Sequence, residues 1–290
     1  MENAIVAIDF SKIDNTLIKY AKELVHEKLG IDKIYFMNFI EDLTSPKKEV
    51  HELMTLLEPE RHLDEKIKSN IEYRLKNNNA KDLNYEIEVH EGKPYKKLIH
   101  WAEIKKTNLV VLGVKDKSQH SGITSKRVLH ALEKNILLIP EMSTASFRNI
   151  LVPIDYSENS KRAFQQAMKI ASDDPLSTIT LLNVVNGVPP GGVLGTHYTE
   201  YANLFIENSK QAMKNFIKDI EVDTDKIKTD IITGAEYSIS NSIHQYAGLK
   251  NFDFIVLGAQ SHSRFRNFLV GSVAESLVVL NLKVPVLIIR

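Results

Sequence analysis

The sequence contains no cysteine, and this absence excludes disulfides, thiolate zinc sites and cysteine nucleophiles. It fits a reducing compartment. Neither sign of charge is in excess, because Lys plus Arg and Asp plus Glu each total 37. The net charge therefore gives no support for binding to nucleic acid or to a membrane surface.

Long apolar runs are also missing. The run at the end of the chain, Val284–Ile289, is far too short to cross a bilayer. The first ten residues include Glu2 and Asp9, and no basic segment leads into an apolar stretch, so no signal peptide is indicated. We expect a cytoplasmic protein that binds neither nucleic acid nor membranes.

Motifs for catalysis or metal binding are absent as well. The chain has no Walker sequence, no His-Glu-x2-His and no Gly-x-Ser-x-Gly. None of the ten histidines has a second ligand at metal-binding spacing. We expect no catalytic residue and no metal held by the chain. Any hydrolytic activity would be slow, because positioning donors without a base supply little transition-state selectivity.

The chain contains an internal repeat. Residues 3–11 resemble residues 149–157, and residues 108–113 resemble residues 253–258, at offsets of 146 and 145 residues. A length of 290 residues also favours two cores over one. The domains that we predict are 1–143 and 148–290.

Each half alternates short apolar runs with helical periodicity. Near-continuous apolar runs are typical of parallel strands covered on both faces, and strand–helix alternation implies right-handed crossovers. We therefore predict an α/β protein with two tandem doubly wound parallel-sheet domains. The predicted strands are 4–8, 33–39, 84–89, 109–112 and 136–139 in the first half, and 151–154, 178–185, 228–232, 254–257 and 285–289 in the second.

Helix signals accompany these strands. Ser11 and Asp14 match a capping box, which predicts a helix immediately after the first strand. Residues 41–79 are charged and are predicted to be mostly helical. In the second half, the glycine- and proline-rich residues 186–196 predict a loop before a helix over about 199–220.

Open parallel sheets bind ligands at the carboxyl ends of their strands, near the point where strand order reverses. Asp155, Val184 and Gly258 lie at such strand ends in the second half. After Gly258, a polar and basic segment leads through Gly271 into a helix that begins near Ser272. The unpaired first amides of a helix and its dipole favour negative charge, so a phosphate group is the natural occupant.

The order of elements, the run 152–157 and the loop from Gly258 to Ser272 together resemble the universal stress protein family. The nucleotide-binding branch of that family carries Gly, two residues, Gly, nine residues, Gly, and then Ser or Thr. Gly258, Gly271 and Ser272 fit this spacing, and Ser261 stands where the second glycine would be. The resemblance covers nearly the whole chain and implies a Rossmann-like, adenine-nucleotide α-hydrolase-like fold in both domains.

The resemblance implies how an adenine nucleotide would lie in the second domain. Asp155 would be near the adenosine, Val184 would meet the adenine edge through its backbone, and Pro153 would belong to the same site. If position 261 needs a positive φ, serine would cost about 1–2 kcal/mol there. The residues that would surround the ribose and phosphates are Gly258, Ser261, Gly271, Ser272 and Val273.

The first domain departs further from the family pattern. Its loop after Gly113 is about four residues shorter, and Asp116 occupies the place of the second glycine. A carboxylate beside a phosphate is repulsive unless a metal intervenes. We therefore predict that the nucleotide site of this domain has been lost, although Asp9 remains.

The resemblance also implies partners and a function. In the family the last strand makes the dimer contact, so the two domains would form an internal pseudo-dimer, and two chains could pair again as a homodimer. We expect a stress-response protein in which ATP, or AMP or ADP, with or without Mg²⁺, acts as a regulatory ligand rather than as a substrate.

Two alternative functions remain open at the level of sequence. One is an interaction module of the same family that binds no nucleotide, and the other is a weak ATP hydrolase. For Gly258, Gly271 and Ser272, the alternative is a tight turn and a helix start without a ligand. For Asp155, the alternative is capping or solvation at the start of the next helix.

Overall fold

A computed structural model of the protein describes residues 2–40, 61–115, 123–186, 198–220, 225–234, 238–259, 271–280 and 283–290. The chain divides into two compact units, Met1–Ala145 and Ser146–Arg290. That each unit folds as an independent domain stays a prediction.

The N-terminal unit is a parallel sheet with helices between its strands. Its strands are β1 (Asn3–Ile8), β2 (Lys33–Ile40), β3 (Tyr85–Glu91), β4 (Leu109–Val114) and β5 (Asn135–Pro140), and its helices are α1 (Asp14–Tyr20), α2 (Arg61–Asn77), α3 (Pro94–Ile104) and α4 (Ile123–Ala131). The strand order is β3-β2-β1-β4-β5, and every neighbouring pair is parallel. After α1 the chain continues into a wider helical turn, Ala21–His26.

The C-terminal unit repeats this arrangement. Its strands are β6 (Asn149–Pro153), β7 (Thr178–Val185), β8 (Ile227–Thr233), β9 (Phe254–Gly258) and β10 (Val286–Ile289), and its helices are α5 (Glu158–Ala171), α6 (Tyr198–Lys218), α7 (Ile239–Leu249) and α8 (Ser272–Val279). The order is β8-β7-β6-β9-β10, again with parallel neighbours. Strand order therefore reverses at β6, so the carboxyl ends of β6, β7 and β9 meet at one edge of the sheet.

The predicted α/β fold is confirmed. Every predicted strand is present, and no strand end differs from its prediction by more than two residues. The apolar runs form buried strands as expected; Ile150, Leu151 and Val152 of β6, for example, are completely buried. Within the described ranges, no helix is both long and apolar enough to span a membrane.

The helix predicted over 199–220 is confirmed as α6, which begins and ends within two residues of that range. Two other predictions can be followed only in part. In the segment 41–79, α2 supplies the helical part, while residues 41–60 lie outside the described residues. The same holds for most of the predicted loop 186–196, of which only Asn186 is described.

The predicted capping box at the start of α1 is wrong. The helix begins at Asp14, and the residue before it, Ile13, makes no side-chain cap. Among the described residues, the buried Ser11 Oγ has no hydrogen-bond partner. The Asp14 carboxylate instead accepts a hydrogen bond from the backbone N–H of Asp9 at 3.3 Å. The capping pattern fails because Asp14 turns back to the end of β1 rather than to the helix entry.

The close packing of β9 against α5 depends on Gly258. A Cβ atom at this position would lie 2.7 Å from the backbone carbonyl carbon of Asn159 and 2.8 Å from its oxygen. Backbone atoms cannot move aside as a flexible side chain can, so any larger residue would force the strand and the helix apart. Gly258 therefore has a structural role whether or not a ligand binds beside it.

We predict that Gly258→Ala lowers the free energy of unfolding by about 1–3 kcal/mol, the usual cost of overpacking a well-packed site. The matched control is Gly248→Ala in α7, where a Cβ would meet nothing within 4 Å. There alanine should raise the free energy of unfolding by about 0.5–1 kcal/mol through its better helix propensity. Urea denaturation of the two variants measures both effects, and equal stability of the two would contradict the packing role.

Candidate functional site

A cavity of about 310 Å³ lies at the carboxyl ends of β6, β7 and β9 in the C-terminal unit. This is the place where doubly wound sheets bind ligands, and the volume is within the range of small-molecule sites. Ser261 is outside the described residues. The sequence-predicted site residues that line the cavity are Pro153, Asp155, Val184, Gly258, Gly271, Ser272 and Val273.

One part of the cavity wall is apolar. Leu182 of β7 and Leu257 of β9 come from the sheet, while Ile239 and Ile243 come from α7. Val184 lies beside them near the end of β7. The contribution of α7 was not predicted, because the packing of this helix over the strand ends depends on tertiary structure. A flat apolar ring is the kind of group that such a wall accommodates.

The backbone of Val184 faces the cavity side of β7. Ile154 donates its N–H to the carbonyl of Leu182 at 2.8 Å, and alternate residues of a strand direct their peptide groups to the same neighbouring strand. The register with β6 ends where Pro153 pairs with Leu182. The N–H and C=O of Val184 therefore point to the side on which β6 has already ended, where a ligand edge could take the place of a strand.

The start of α8 forms another part of the cavity wall. Gly271 precedes the helix with φ −59° and ψ 141° and supplies no side-chain cap. Its own N–H donates to the carbonyl of Ala259 at 2.7 Å. The next three residues, Ser272, Val273 and Ala274, line the cavity, and the first N–H groups of a helix have no acceptor within the helix. The part of the cavity beside the start of α8 is therefore suited to an anion.

Asp155 is held at the cavity by the first turn of α5. One oxygen, Oδ1, accepts three hydrogen bonds: from the Ser157 N–H at 3.1 Å, the Ser157 hydroxyl at 2.6 Å and the Ser160 hydroxyl at 2.5 Å. Ser157 in turn caps α5 by accepting from the N–H of Ser160 at 3.2 Å. The cap of α5 is therefore Ser157, while Asp155 orders the residues just before the helix and also lines the cavity.

A buried hydrogen-bond network supports the strand ends. Asn183 of β7 donates from Nδ2 to the carbonyl of Ile154 at 2.8 Å, and its Oδ1 accepts from the hydroxyl of Ser209 at 2.8 Å. The hydroxyl of Tyr156 lies 2.7 Å from that of Ser209. Asn183 lines the cavity and was not predicted. The repeat held the signal, since Asn38 makes the equivalent bond to the carbonyl of Ile8 at 2.8 Å.

The matching strand end of the N-terminal unit carries an internal ion pair. Asp9, the counterpart of Asp155, lies with Oδ2 2.6 Å from the ammonium of Lys115. Burial alone would raise the pKa of Asp9, but hydrogen bonds from Lys115 and Ser11 and the charge of Lys115 outweigh it, so the pKa lies below its ordinary value. Asp116, predicted to disrupt the loop of this unit, lies outside the described residues.

Asp14 is the counterpart of Ser160 in the repeat and is fully buried. Burial and the nearby charge of Asp9 raise its pKa to about 6, although Arg74 opposes the shift from 3.9 Å. In the part of the chain that the structure describes, its Oδ2 has no hydrogen-bond partner. The N-terminal unit therefore keeps a charged group where the C-terminal unit has a hydroxyl.

We predict that Asp14→Asn stabilises the N-terminal unit at neutral pH. The folded state binds the Asp14 proton more tightly than the unfolded chain does, so the stability from this proton is present near pH 4 and is lost as pH rises through about 6. At pH 7.5 the gain in free energy of unfolding should be on the order of 2–3 kcal/mol, and it should shrink toward pH 4.

Urea denaturation followed by tryptophan fluorescence measures this effect, because Trp101, the single tryptophan of the chain, lies in the N-terminal unit. The control is Asp82→Asn, an exposed carboxylate of the same unit, which should change stability little at either pH. An Asp14→Asn effect that is independent of pH would show that the buried charge is not its cause.

No group of three His, Asp or Glu side chains suited to a metal ion is found among the described residues.

The chain is similar to known proteins in both sequence and structure. The family model described as Universal stress protein family matches residues 1–140 and again residues 146–290. A universal stress protein of Methanocaldococcus jannaschii is 30% identical over 145 residues, which are 50% of this chain and 82% of that protein. The crystal structure of a universal stress protein from Archaeoglobus fulgidus is similar to this chain with a TM-score of 0.66. The match covers 99% of this chain and 98% of that protein, and the two sequences are 17% identical. At that identity the structural likeness concerns the fold alone.

Proposed function

The chain belongs to the universal stress protein family, as its sequence predicted, and from this premise we propose that its C-terminal unit binds an adenine nucleotide, with ATP as the leading candidate. The nucleotide serves as a regulatory ligand in a cytoplasmic stress response. The N-terminal unit contributes no second nucleotide site.

The observation that carries this proposal is the combination of chemical groups that line one cavity. Apolar side chains of β7 and α7, the carboxylate of Asp155 and the start of α8 all belong to its wall. A nucleotide carries three groups that suit them: an apolar ring, a sugar with hydroxyl groups, and phosphates. No single feature of the cavity selects a nucleotide, but the three together match it.

The adenine would lie between the wall of α7 and the end of β7. Ile239 and Ile243 would cover its faces, and the peptide groups of Val184 would meet its polar edge. Adenine carries a donor and an acceptor side by side on that edge, so the exposed N–H and C=O of one residue suit it. This placement relies on backbone geometry and does not depend on the valine side chain.

The phosphates would lie against the first turn of α8. The N–H groups of Ser272 and Val273 and the hydroxyl of Ser272 are donors for phosphate oxygens, and the helix dipole favours the negative charge. Gly271 leaves room because it has no side chain. AMP, ADP and ATP share the groups that meet this surface, and Mg²⁺, where present, would arrive on the phosphates. Ser261 remains a proposed member of this phosphate site.

The proposed partners rest on the last strand of each unit. Taken by itself, each unit has this strand at one end of its sheet order, β5 in the first and β10 in the second. Both strands are apolar and buried at most positions. Edge strands of this character pair readily with another strand. We propose that these strands pair the two units as an internal pseudo-dimer, and that two chains pair again as a homodimer.

We predict that two substitutions at one position separate the hydroxyl from the backbone donor. Ser272→Ala removes only the hydroxyl, whereas Ser272→Pro also removes the N–H. Hydrogen bonds to charged groups contribute about 1.5–3 kcal/mol, so ATP affinity should fall about tenfold in the first variant and about a hundredfold in the second. Isothermal titration with ATP measures both.

Proline is suited to this position because it is favoured at the first residue of a helix. The preceding Gly271, at φ −59° and ψ 141°, already has the extended conformation that proline requires of its neighbour. The chain uses proline in this way at Pro94, the first residue of α3. Both variants should therefore melt close to the wild type. A wild type that shows neither heat nor a change in melting temperature at millimolar ATP would favour the interaction module without nucleotide.

A further inference from the structure

The two repeats differ at one position in the first turn of their first helix. Ser160 in the C-terminal unit and Asp14 in the N-terminal unit each lie five residues after the aspartate that follows the first strand, Asp155 and Asp9 respectively. Both are buried, and both accept a hydrogen bond from the backbone N–H of that aspartate, at 3.1 Å and 3.3 Å. The position is therefore structurally equivalent in the two units.

The Ser160 hydroxyl holds Asp155 at two points. It accepts from the N–H of Asp155 and donates to its Oδ1 at 2.5 Å. Together with the two donors of Ser157, it gives Oδ1 three hydrogen bonds. Three donors in fixed directions prevent the carboxylate of Asp155 from rotating freely, so its orientation is determined.

Asp14 cannot do the same for Asp9. An ionised carboxylate has no proton to donate, and its charge repels a second carboxylate beside it. In the N-terminal unit the Ser11 N–H still donates to Asp9 Oδ1 at 3.1 Å, but the two hydroxyl donors of the other unit have no counterpart among the described contacts. Asp9 instead makes its ion pair with Lys115.

We propose that Ser160 is the positioning residue through which the C-terminal unit recognises the ribose hydroxyls, and that an aspartate at this position is incompatible with that recognition. The inference rests on the proposed nucleotide site and adds a cause for the difference between the units. Ser160 and Asp155 both line the cavity, and Ser160 fixes Asp155 as an acceptor for the hydroxyl donors of the sugar. Because Ser160 acts by orienting Asp155, its effect depends on the presence of those hydroxyls.

The experiment compares ATP with 2′,3′-dideoxy-ATP, which lacks both ribose hydroxyls. Isothermal titration of the full chain gives the ratio of the two dissociation constants. We expect the wild type to bind ATP about tenfold more tightly than the dideoxy analogue, the worth of one good hydrogen bond to a charged group. In Ser160→Ala this ratio should fall to about two or less. Asp155 loses its orientation in this variant, which weakens the binding of ATP but not of the analogue, because the analogue has no hydroxyl to bond to Asp155.

A second variant, Ser160→Asp, places the residue of the N-terminal unit in the C-terminal unit. It should lose more than tenfold in ATP affinity through repulsion of Asp155. The matched control is Ser172→Ala, an exposed serine just after α5, which should leave both dissociation constants unchanged.

The outcomes separate the inference from the proposed function. If the wild type binds neither nucleotide, the proposed function is wrong. If it binds ATP and Ser160→Ala keeps the wild-type ratio, the nucleotide site stands and the positioning role is overturned. Equal weakening of ATP and the analogue in Ser160→Ala would also overturn it, since a merely structural role moves both constants together.

Discussion

Three hydrogen bonds on a single carboxylate oxygen connect the fold of the C-terminal unit with its site. They join the end of β6 to the first turn of α5, and they fix the direction of Asp155 at the wall of the cavity. The close approach of β9 to α5 at Gly258 brings the end of β9, which also lines the cavity, next to the first turn of α5. The same contacts that stabilise the strand–helix junction therefore shape the part of the cavity wall where we propose that the sugar binds.

The two units show how one architecture can carry different chemistry. Strand order and the buried asparagine of the second strand are common to both. Around the first strand end, however, hydroxyl donors in one unit are replaced by a buried carboxylate and an ion pair in the other. Where a cation and an anion of the protein pair with each other, neither charge needs a ligand to neutralise it. The absence of a nucleotide site that we propose for the N-terminal unit would therefore need no change of fold, only a change in which charged groups neutralise one another.

The strands and several of the residues that line the cavity at their ends could be predicted from the sequence, because the patterns that indicate them are local. Continuous apolar runs identified the strands, and the repeat identified the equivalent strand ends. The residues missed depend on tertiary contacts. Ile239 and Ile243 enter the cavity only through the packing of α7, and Ser160 lines it and holds Asp155. Asn183 could have been found from its repeat partner Asn38. The capping box failed because the pattern does not reveal that Asp14 would turn toward Asp9.

Native mass spectrometry of the full chain with excess ATP tests the central claim most directly, because it counts bound nucleotides. A nucleotide site confined to the C-terminal unit predicts one ATP for each chain, and no second one at higher ATP. Two bound ATP molecules in each chain would contradict the account of the N-terminal unit. A chain that carries none would contradict the site itself.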